Sequence, residues 1–374
     1  MEYNPKYRTD FMTVKYGRAF RRGGTEYISG LIAQGIADGS RTAVITGSWD
    51  IKSHIRIPSD FTLIFDGCCL KMADETFDNM FVNEHHGTEL GKTPAGTDHN
   101  IRLLGKNGAI IDGGTFNGLT ERTGRKDGMP PVYKNNLILF TNVDGFETAG
   151  LAFHNFRWWA VNHIYCANGH IHDIDLLADD TCIAEDGTVY HGLSLEHYYD
   201  MLIKQADGIN FRLGCHDMLV ENIRGFAGDD VVALTSLNGK MEQTFAVEGY
   251  PADLCNITVR HVHACALDSC VRLLCQGGTT LHDILVEDVC DTSDGVHHIR
   301  GRALQTIRVG DSHIMYGSRH STAEEFYNIT IRGVRSRAEY ALYLGGKSAG
   351  NCVFEDIEAF DGGGTIWDCR NDDE

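Results

Sequence analysis

Asp217-Met218-Leu219-Val220-Glu221-Asn222-Ile223 and Cys255-Asn256-Ile257-Thr258-Val259-Arg260-His261-Val262 read as two copies of one short unit. A polar residue opens it, apolar residues alternate through it, an acidic residue or Asn interrupts it, and an apolar residue closes it. His282-Asp283-Ile284-Leu285-Val286-Glu287-Asp288-Val289, Tyr327-Asn328-Ile329-Thr330-Ile331-Arg332-Gly333-Val334 and Asn351-Cys352-Val353-Phe354-Glu355-Asp356-Ile357 repeat it, with Gln305-Thr306-Ile307-Arg308-Val309 fitting between. With the first inward apolar residue of each unit as marker, Ile257 to Ile284 is 27 residues, Ile284 to Ile307 is 23, Ile307 to Ile329 is 22 and Ile329 to Val353 is 24. Leu219 to Ile257 is 38, one period plus an inserted loop. Alternation with period two marks half-buried strands. A near-constant interval of this length, with Gly, Asn and Asp turns and no helix between units, marks a solenoid.

The expected class is all-β, a right-handed parallel β-helix. Leucine-rich repeats share the interval, but their Leu-rich consensus is missing here. A β-sandwich would space its strands every ~8–12 residues without repeating one unit at a longer interval. Only 6 Pro in the chain suits central strands, which need their N–H groups. Earlier, less regular coils include Asn100–Leu104, Gly108–Asp112, Asn136–Phe140 and His170–Leu176. An open solenoid end exposes core and unpaired strand edges, so it needs a cap. Thr25 to Asp38, with apolar residues at Ile28, Leu31, Ile32 and Ile36, predicts an amphipathic N-terminal capping helix with Thr25 as N-cap. Residues 105–128 and 240–253 read as loops, and residues 1–374 read as one domain.

Composition narrows the function. The 374 residues carry 33 basic and 52 acidic side chains, a formal net charge of −19. That balance lacks the basic footprint of a nucleic-acid binder. No apolar run reaches the ~18–20 residues of a membrane helix; Ala109-Ile110-Ile111 stops at Asp112. Met1-Glu2-Tyr3-Asn4-Pro5-Lys6 has no apolar signal-peptide core, so the expected setting is cytoplasmic. The 12 cysteines form no C-x-x-C pair or Cys-His zinc spacing and read as small buried hydrophobes in a reduced compartment.

Two segments carry the candidate chemistry: Ala206-Asp207-Gly208-Ile209 and Gly228-Asp229-Asp230-Val231-Val232-Ala233. Asp207 to Asp229 is 22 residues, one coil, and neighbouring coils of a parallel sheet lie about 4.8 Å apart. Asp207 is therefore expected beside the Asp229–Asp230 pair. Three clustered carboxylates repel, which raises at least one pKa. A protonated acid beside ionised neighbours is the division of labour that glycoside hydrolysis uses. Against this stand a plain Gly-Asp-Asp turn and a calcium site made of carboxylates and backbone oxygens. Consecutive strand residues face opposite sides, so both aspartates can share a cleft only across a bend, which Gly228 would permit.

From Phe156 to Leu274 the chain resembles the polygalacturonase family, glycoside hydrolase family 28. Arg157-Trp158-Trp159-Ala160-Val161-Asn162-His163-Ile164-Tyr165-Cys166 is similar to its aromatic coil ending in Cys. The two aspartate segments are similar to its Asn-Thr-Asp-Gly-Ile and Gly-Asp-Asp-Cys-Ile-Ala, and Val271-Arg272-Leu273-Leu274 matches its Arg-Ile-Lys strand at Arg272. Ile57-Pro58-Ser59-Asp60-Phe61-Thr62-Leu63 resembles the wider pectin-degrading β-helix group. The resemblance implies that Asp229 is the general acid, that Asp207 and Asp230 activate water for an inverting attack, and that Arg272 binds substrate. The chain departs from the pattern at Gln205 and Ala206, at Ser236-Leu237-Asn238-Gly239-Lys240, where the family has Gly-His-Gly, and at Leu274, where it has Lys.

Trp158, Trp159 and His163 are further candidates for the substrate cleft; because the two Trp are adjacent, one is expected in the core. His216, His261 and His263 read as structural, and Asp179-Asp180-Thr181 through Glu185-Asp186 as a solvated loop. The expected activity is hydrolysis of a pectin-related oligo- or polysaccharide, with a carbohydrate as partner and no cofactor or metal. The alternatives are a polysaccharide lyase on the same scaffold, using calcium and Arg272 as base, and a non-catalytic glycan-binding β-helix of the phage-tail type.

Overall fold

The computed structural model describes residues 16–115, 134–183, 188–197, 206–311, 313–314, 319–346 and 352–370. Among these, fourteen strands form one sheet and ten form a second, and every pairing within both sheets is parallel. The chain alternates between them. Strand 216–227 belongs to the first sheet, 230–237 to the second, 254–266 to the first and 269–276 to the second. Each return to the same sheet closes one coil of a right-handed parallel β-helix. Four short strands, Ser48–Ile51, Cys69–Met72, Ile110–Asp112 and Ala152–His154, form a further row that joins the first sheet at strand Ala167–Leu177.

Alternation drives the packing. On the first sheet Ile171, Val220, Val259, Val286 and Ile331 stand one above another, and on the second Val161, Ile209, Val232, Val271, Ile307 and Leu342 do the same. All eleven are fully buried. Each such side chain contributes about 1.5–3 kcal/mol of burial free energy, so the stacked rows hold the cylinder together.

These rows correct the expected repeat. Ile284 pairs with Ile329, in the next coil of the first sheet, and Ile307 belongs to the second sheet. That coil is 45 residues long, the separation of the pairs Asn328–Asp283 and Arg332–Glu287. Other coils run to 49 and 39 residues, as Asn222–Asp173 and Asn256–Asp217 show. The steps of 22 and 23 through Ile307 were half-coils. Two markers were also one residue out of register, since Met218 pairs with Ile257 and Cys352 with Ile329. Leu219 and Val353 occupy the outer face, where Val353 is 49% exposed.

Corners are set by residues that accept a left-handed backbone. Asn168, Asp217, Asn256, Asp283 and Asn328 occupy one position in successive coils, with φ from 52° to 58°. Asn and Asp are the side-chain-bearing residues that enter this region most readily. Their identities alternate, and the Asn256 and Asn328 amides donate to the Asp217 and Asp283 carboxylates of the preceding coil. On the outer face a second alternation runs His172, Glu221, Arg260, Glu287, Arg332, Glu355. Within it Arg260 Nε reaches Glu221 at 2.8 Å and Arg332 Nη2 reaches Glu287 at 2.6 Å.

The N-terminal cap is helix α1, Gly24–Ala37, with Ile28 and Ile32 buried against the first coils. Its N-cap is Gly23 in the left-handed region and not Thr25, whose hydroxyl instead accepts the backbone N–H groups of Lys52 and Ser53. Ile36 faces outward, 45% exposed. Within residues 240–253, expected as loop, Lys240–Thr244 forms a short helix, α2. Ile110–Asp112 is a strand, and residues 116–128 of the other expected loop lie outside the described residues. None of the twelve cysteines forms a disulfide, and nine of them are buried.

Candidate active site

Ile209 pairs with Val232, so Asp207 and Asp230, each two residues earlier, meet on adjacent coils. Gly228 lets the coils close at this point: a Cβ there would sit 3.1 Å from the Ala206 methyl, and its N–H donates to Ala206 O at 3.0 Å. Val231 and Val232, consecutive in sequence, both pack into the interior. The in-out alternation is therefore broken at this point, and Asp229 and Asp230 share one side, as the bend required. One carboxylate oxygen from each of Asp207, Asp229 and Asp230 lies within 4.8 Å of the others, the one cluster of such groups with cation-compatible spacing among the described residues.

The three line a cavity of about 270 Å³ together with Trp159, Arg212, Thr235, Lys240, Glu242, Arg272 and Leu274. Their surroundings differ. Asp207, 7% exposed, accepts the Trp159 indole N–H at 2.8 Å and the Asn210 amide at 3.3 Å. Asp230, 3% exposed, accepts the Ser269 hydroxyl at 2.5 Å and lies 3.7 Å from Arg272 Nη1. Asp229 is the most open, and among the described residues no side chain donates a hydrogen bond to its carboxyl. Burial pushes all three pKa values up. For Asp229 the repulsion of Asp230, Asp207 and Asp268 adds to it, and its pKa stands well above the carboxylate range. Asp230 also stands well above that range: the Asp268 and Asp207 charges add to its burial, while Arg272 and the Ser269 hydroxyl oppose the rise.

Around this core sits a charged lattice that the sequence reading did not identify. Arg272 Nη2 contacts Asp311 at 2.7 Å and its Nη1 lies 3.4 Å from Asp268. Arg308, the register neighbour of Arg272 on the next coil, contacts Asp268 at 2.8 Å and also Asp311. Despite burial, Arg308 and Arg272 hold Asp268 below the usual carboxylate range. On the opposite wall Arg212 pairs with Glu242 of α2 at 2.9 Å and lies over the Trp159 ring at 4.4 Å. A sequence signal existed for part of this: Arg272 and Arg308 are single charges inside the otherwise apolar runs SCVRLLCQ and QTIRV.

The remaining candidates divide. Trp159 lines the cavity. Trp158 packs beside it, with ring centroids 5.9 Å apart and 4% exposed, and is not part of the cavity lining. Neither Trp lies in the coil interior; both belong to an apolar cluster on the outside of the second sheet with Met241 and Phe245. His163 is a correction. It is fully buried inside the coil, sandwiched between Phe146 at 4.5 Å and Phe211 at 4.9 Å, and burial lowers its pKa to about 3. The parity of the strand turns it inward beside Val161. Asp179 and Asp180, expected in a solvated loop, are 4% and 5% exposed, with His298 on Asp180 at 3.1 Å; Gln205, Glu185 and Asp186 lie outside the described residues. His216, His261 and His263 sit on the outer surface, paired with Asp217 and Asp288.

No family model matches the chain. No curated protein matches it either. Among solved structures it is similar to the polygalacturonase of Erwinia carotovora ssp. carotovora, with a TM-score of 0.57 and 12% identity over 96% of this chain and 98% of that one. It is also similar to the tailspike protein of E. coli bacteriophage HK620 in complex with pentasaccharide, with a TM-score of 0.54 and 12% identity over 94% of this chain and 56% of that one. The endo-xylogalacturonan hydrolase of Aspergillus tubingensis follows at 0.50 and 13%, over 92% of this chain and 94% of that one. These likenesses establish the β-helix fold.

Proposed function

We propose that the protein is a glycoside hydrolase acting on pectin-related oligo- or polysaccharides, with Asp229 as general acid and Asp207 and Asp230 as the carboxylates that activate water. The observation that carries this reading is the unequal trio in one cavity. Asp207 and Asp230 each accept a neutral donor and face an arginine, and both contacts oppose the rise that burial imposes on them. Asp229 is the most open of the three, and burial together with the charges of Asp230, Asp207 and Asp268 pushes its pKa well above the carboxylate range, so the shared proton is assigned to it. A protonated carboxyl facing the cavity is placed to protonate a leaving glycosidic oxygen. The likeness to a polygalacturonase and an endo-xylogalacturonan hydrolase supports the substrate class.

The proposed outcome is inversion. Opposed carboxylates of inverting enzymes usually stand ~6.5–9.5 Å apart to leave room for water. Here one oxygen of each carboxyl lies within 4.8 Å of the others, closer than that range, so the inverting outcome rests on the family resemblance, with Asp207 and Asp230 sharing the attacking water. The test is hydrolysis of a panel of pectic oligosaccharides with the anomer of the first product read by NMR. An inverted anomer, lost in Asp229→Asn, supports the reading. A retained anomer removes the water-first mechanism, and turnover of Asp229→Asn within tenfold of wild type removes the acid.

A lyase that uses Arg272 as base is disfavoured by its contacts, because Asp311 and Asp268 both stabilise the protonated guanidinium. The tailspike likeness supports glycan binding without turnover as the second reading; saturable oligosaccharide binding with no product over days would establish it.

A further inference from the structure

We propose that Arg272 is a positioning residue for Asp230, clamped by Asp311 and Asp268, in place of the substrate-binding role that the resemblance implies. The inference rests on the hydrolase reading above. Its basis is the geometry of the guanidinium. Arg272 is 7% exposed. Its Nη2 is spent on Asp311 at 2.7 Å, and its Nη1 lies between Asp268 at 3.4 Å and Asp230 at 3.7 Å. A substrate carboxylate would compete with three protein carboxylates already in place. Both clamping acids are themselves fixed. Arg308 contacts each of them, and Gln305 donates to Asp268. The Asp311 side chain is 1% exposed.

The clamp spans three coils. Asp230 lies on the first, Asp268 and Arg272 on the second, Arg308 and Asp311 on the third. Parallel register fixes each arginine above the last, with Ala233, Arg272, Arg308 and Tyr343 in one row. The Ser269 hydroxyl hydrogen-bonds Oδ1 of Asp230, and the Arg272 guanidinium faces Oδ2 as an ion pair at 3.7 Å. A carboxylate hydrogen-bonded at one oxygen and faced by a fixed cation at the other keeps its direction toward the water it activates, and misplacement by about 1 Å costs on the order of 10²-fold in rate. Substrate recognition is left to the other lining residues, among them Trp159, Lys240 and Thr235.

The test separates binding from turnover. Calorimetry would measure trigalacturonate binding to Asp229→Asn, with and without Arg272→Ala. Steady-state kinetics would compare wild type, Asp311→Asn and Asp311→Glu. A positioning role leaves the dissociation constant within about threefold when Arg272 is removed. It lowers kcat of Asp311→Asn by about 10–100-fold with KM little changed, and Asp311→Glu recovers part of the loss. A tenfold weaker dissociation constant on removing Arg272, or an Asp311→Asn variant with kcat within threefold of wild type, overturns it. If wild type neither binds nor cleaves trigalacturonate, the substrate reading falls, and a crystal structure of Asp311→Asn then decides the clamp alone. Arg272 displaced from Asp230 supports the proposal, and Arg272 unmoved rejects it.

Discussion

The indole nitrogen of Trp159 donates to Asp207 Oδ2 at 2.8 Å, across 48 residues of sequence and one coil of the stack. Trp159 also carries Arg212 over its ring at 4.4 Å, so one side chain orients an acid and a cation of the same cavity. Trp159→Phe keeps the ring and deletes the donor. Expected are a loss of about 1–3 kcal/mol in urea unfolding, from the buried carboxylate left short of a donor, and a fall in turnover of about tenfold or more from a misdirected Asp207. Unchanged kcat would show that Asn210 suffices to hold Asp207.

Asp229 is costly to the fold. Burial, then the charges of Asp230, Asp207 and Asp268, raise its pKa above the unfolded value. A carboxyl of that kind contributes most below its unfolded pKa and loses that contribution as pH rises through the folded one. Asp229→Asn is therefore expected to be inactive yet more stable at pH 7, with the gain shrinking toward pH 4. Each kcal/mol of relieved repulsion would raise Tm by roughly 1–3 °C in a chain of this size. Melting curves of both proteins across pH 4–8 check it, and a Tm at or below wild type at pH 7 contradicts it.

His163 predicts the opposite slope. Its folded pKa of about 3 lies below the unfolded value because burial disfavours the imidazolium. Its stabilising contribution is present above the unfolded pKa and is lost as pH falls from about 6.5 toward 3. His163→Phe, which continues the stack between Phe146 and Phe211, is expected to flatten acid destabilisation in that window and to leave KM unchanged. A KM raised tenfold would return His163 to the substrate site.

Asn256 tests the corners. At φ 52° an alanine pays about 1–2 kcal/mol for the left-handed backbone and also loses the amide hydrogen bond to Asp217. Glycine pays only for the hydrogen bond and its greater unfolded freedom. The expected order of stability is Asn256, then Asn256→Gly, then Asn256→Ala, measured by urea denaturation; Ala above Gly would remove the backbone explanation.

The repeat and the meeting of Asp207 with Asp229 and Asp230 were legible because both are local in coil space. Ile209 to Val232 is a coil without a large insertion, so counting residues found the neighbour. The same counting misassigned Ile307. The half-coil from Ile284 to Ile307 has the same 23 residues as the whole coil from Ile329 to Cys352, and strands of both sheets alternate alike. The site's periphery was less legible still. Arg212, Glu242 and Asp311 arrive from strand ends and α2, whose positions relative to the coils depend on packing and not on spacing. His163 was misplaced because nothing in the run from Arg157 to Cys166 announces which parity faces inward.

The corner ladder and the charge ladder both have a period of two coils. Duplicating one coil would set like against like, aspartate on aspartate and glutamate on glutamate or asparagine on asparagine and arginine on arginine, while duplicating a pair keeps every partner complementary. Lengthening or shortening of this scaffold, in evolution or in the laboratory, is thereby steered toward even steps.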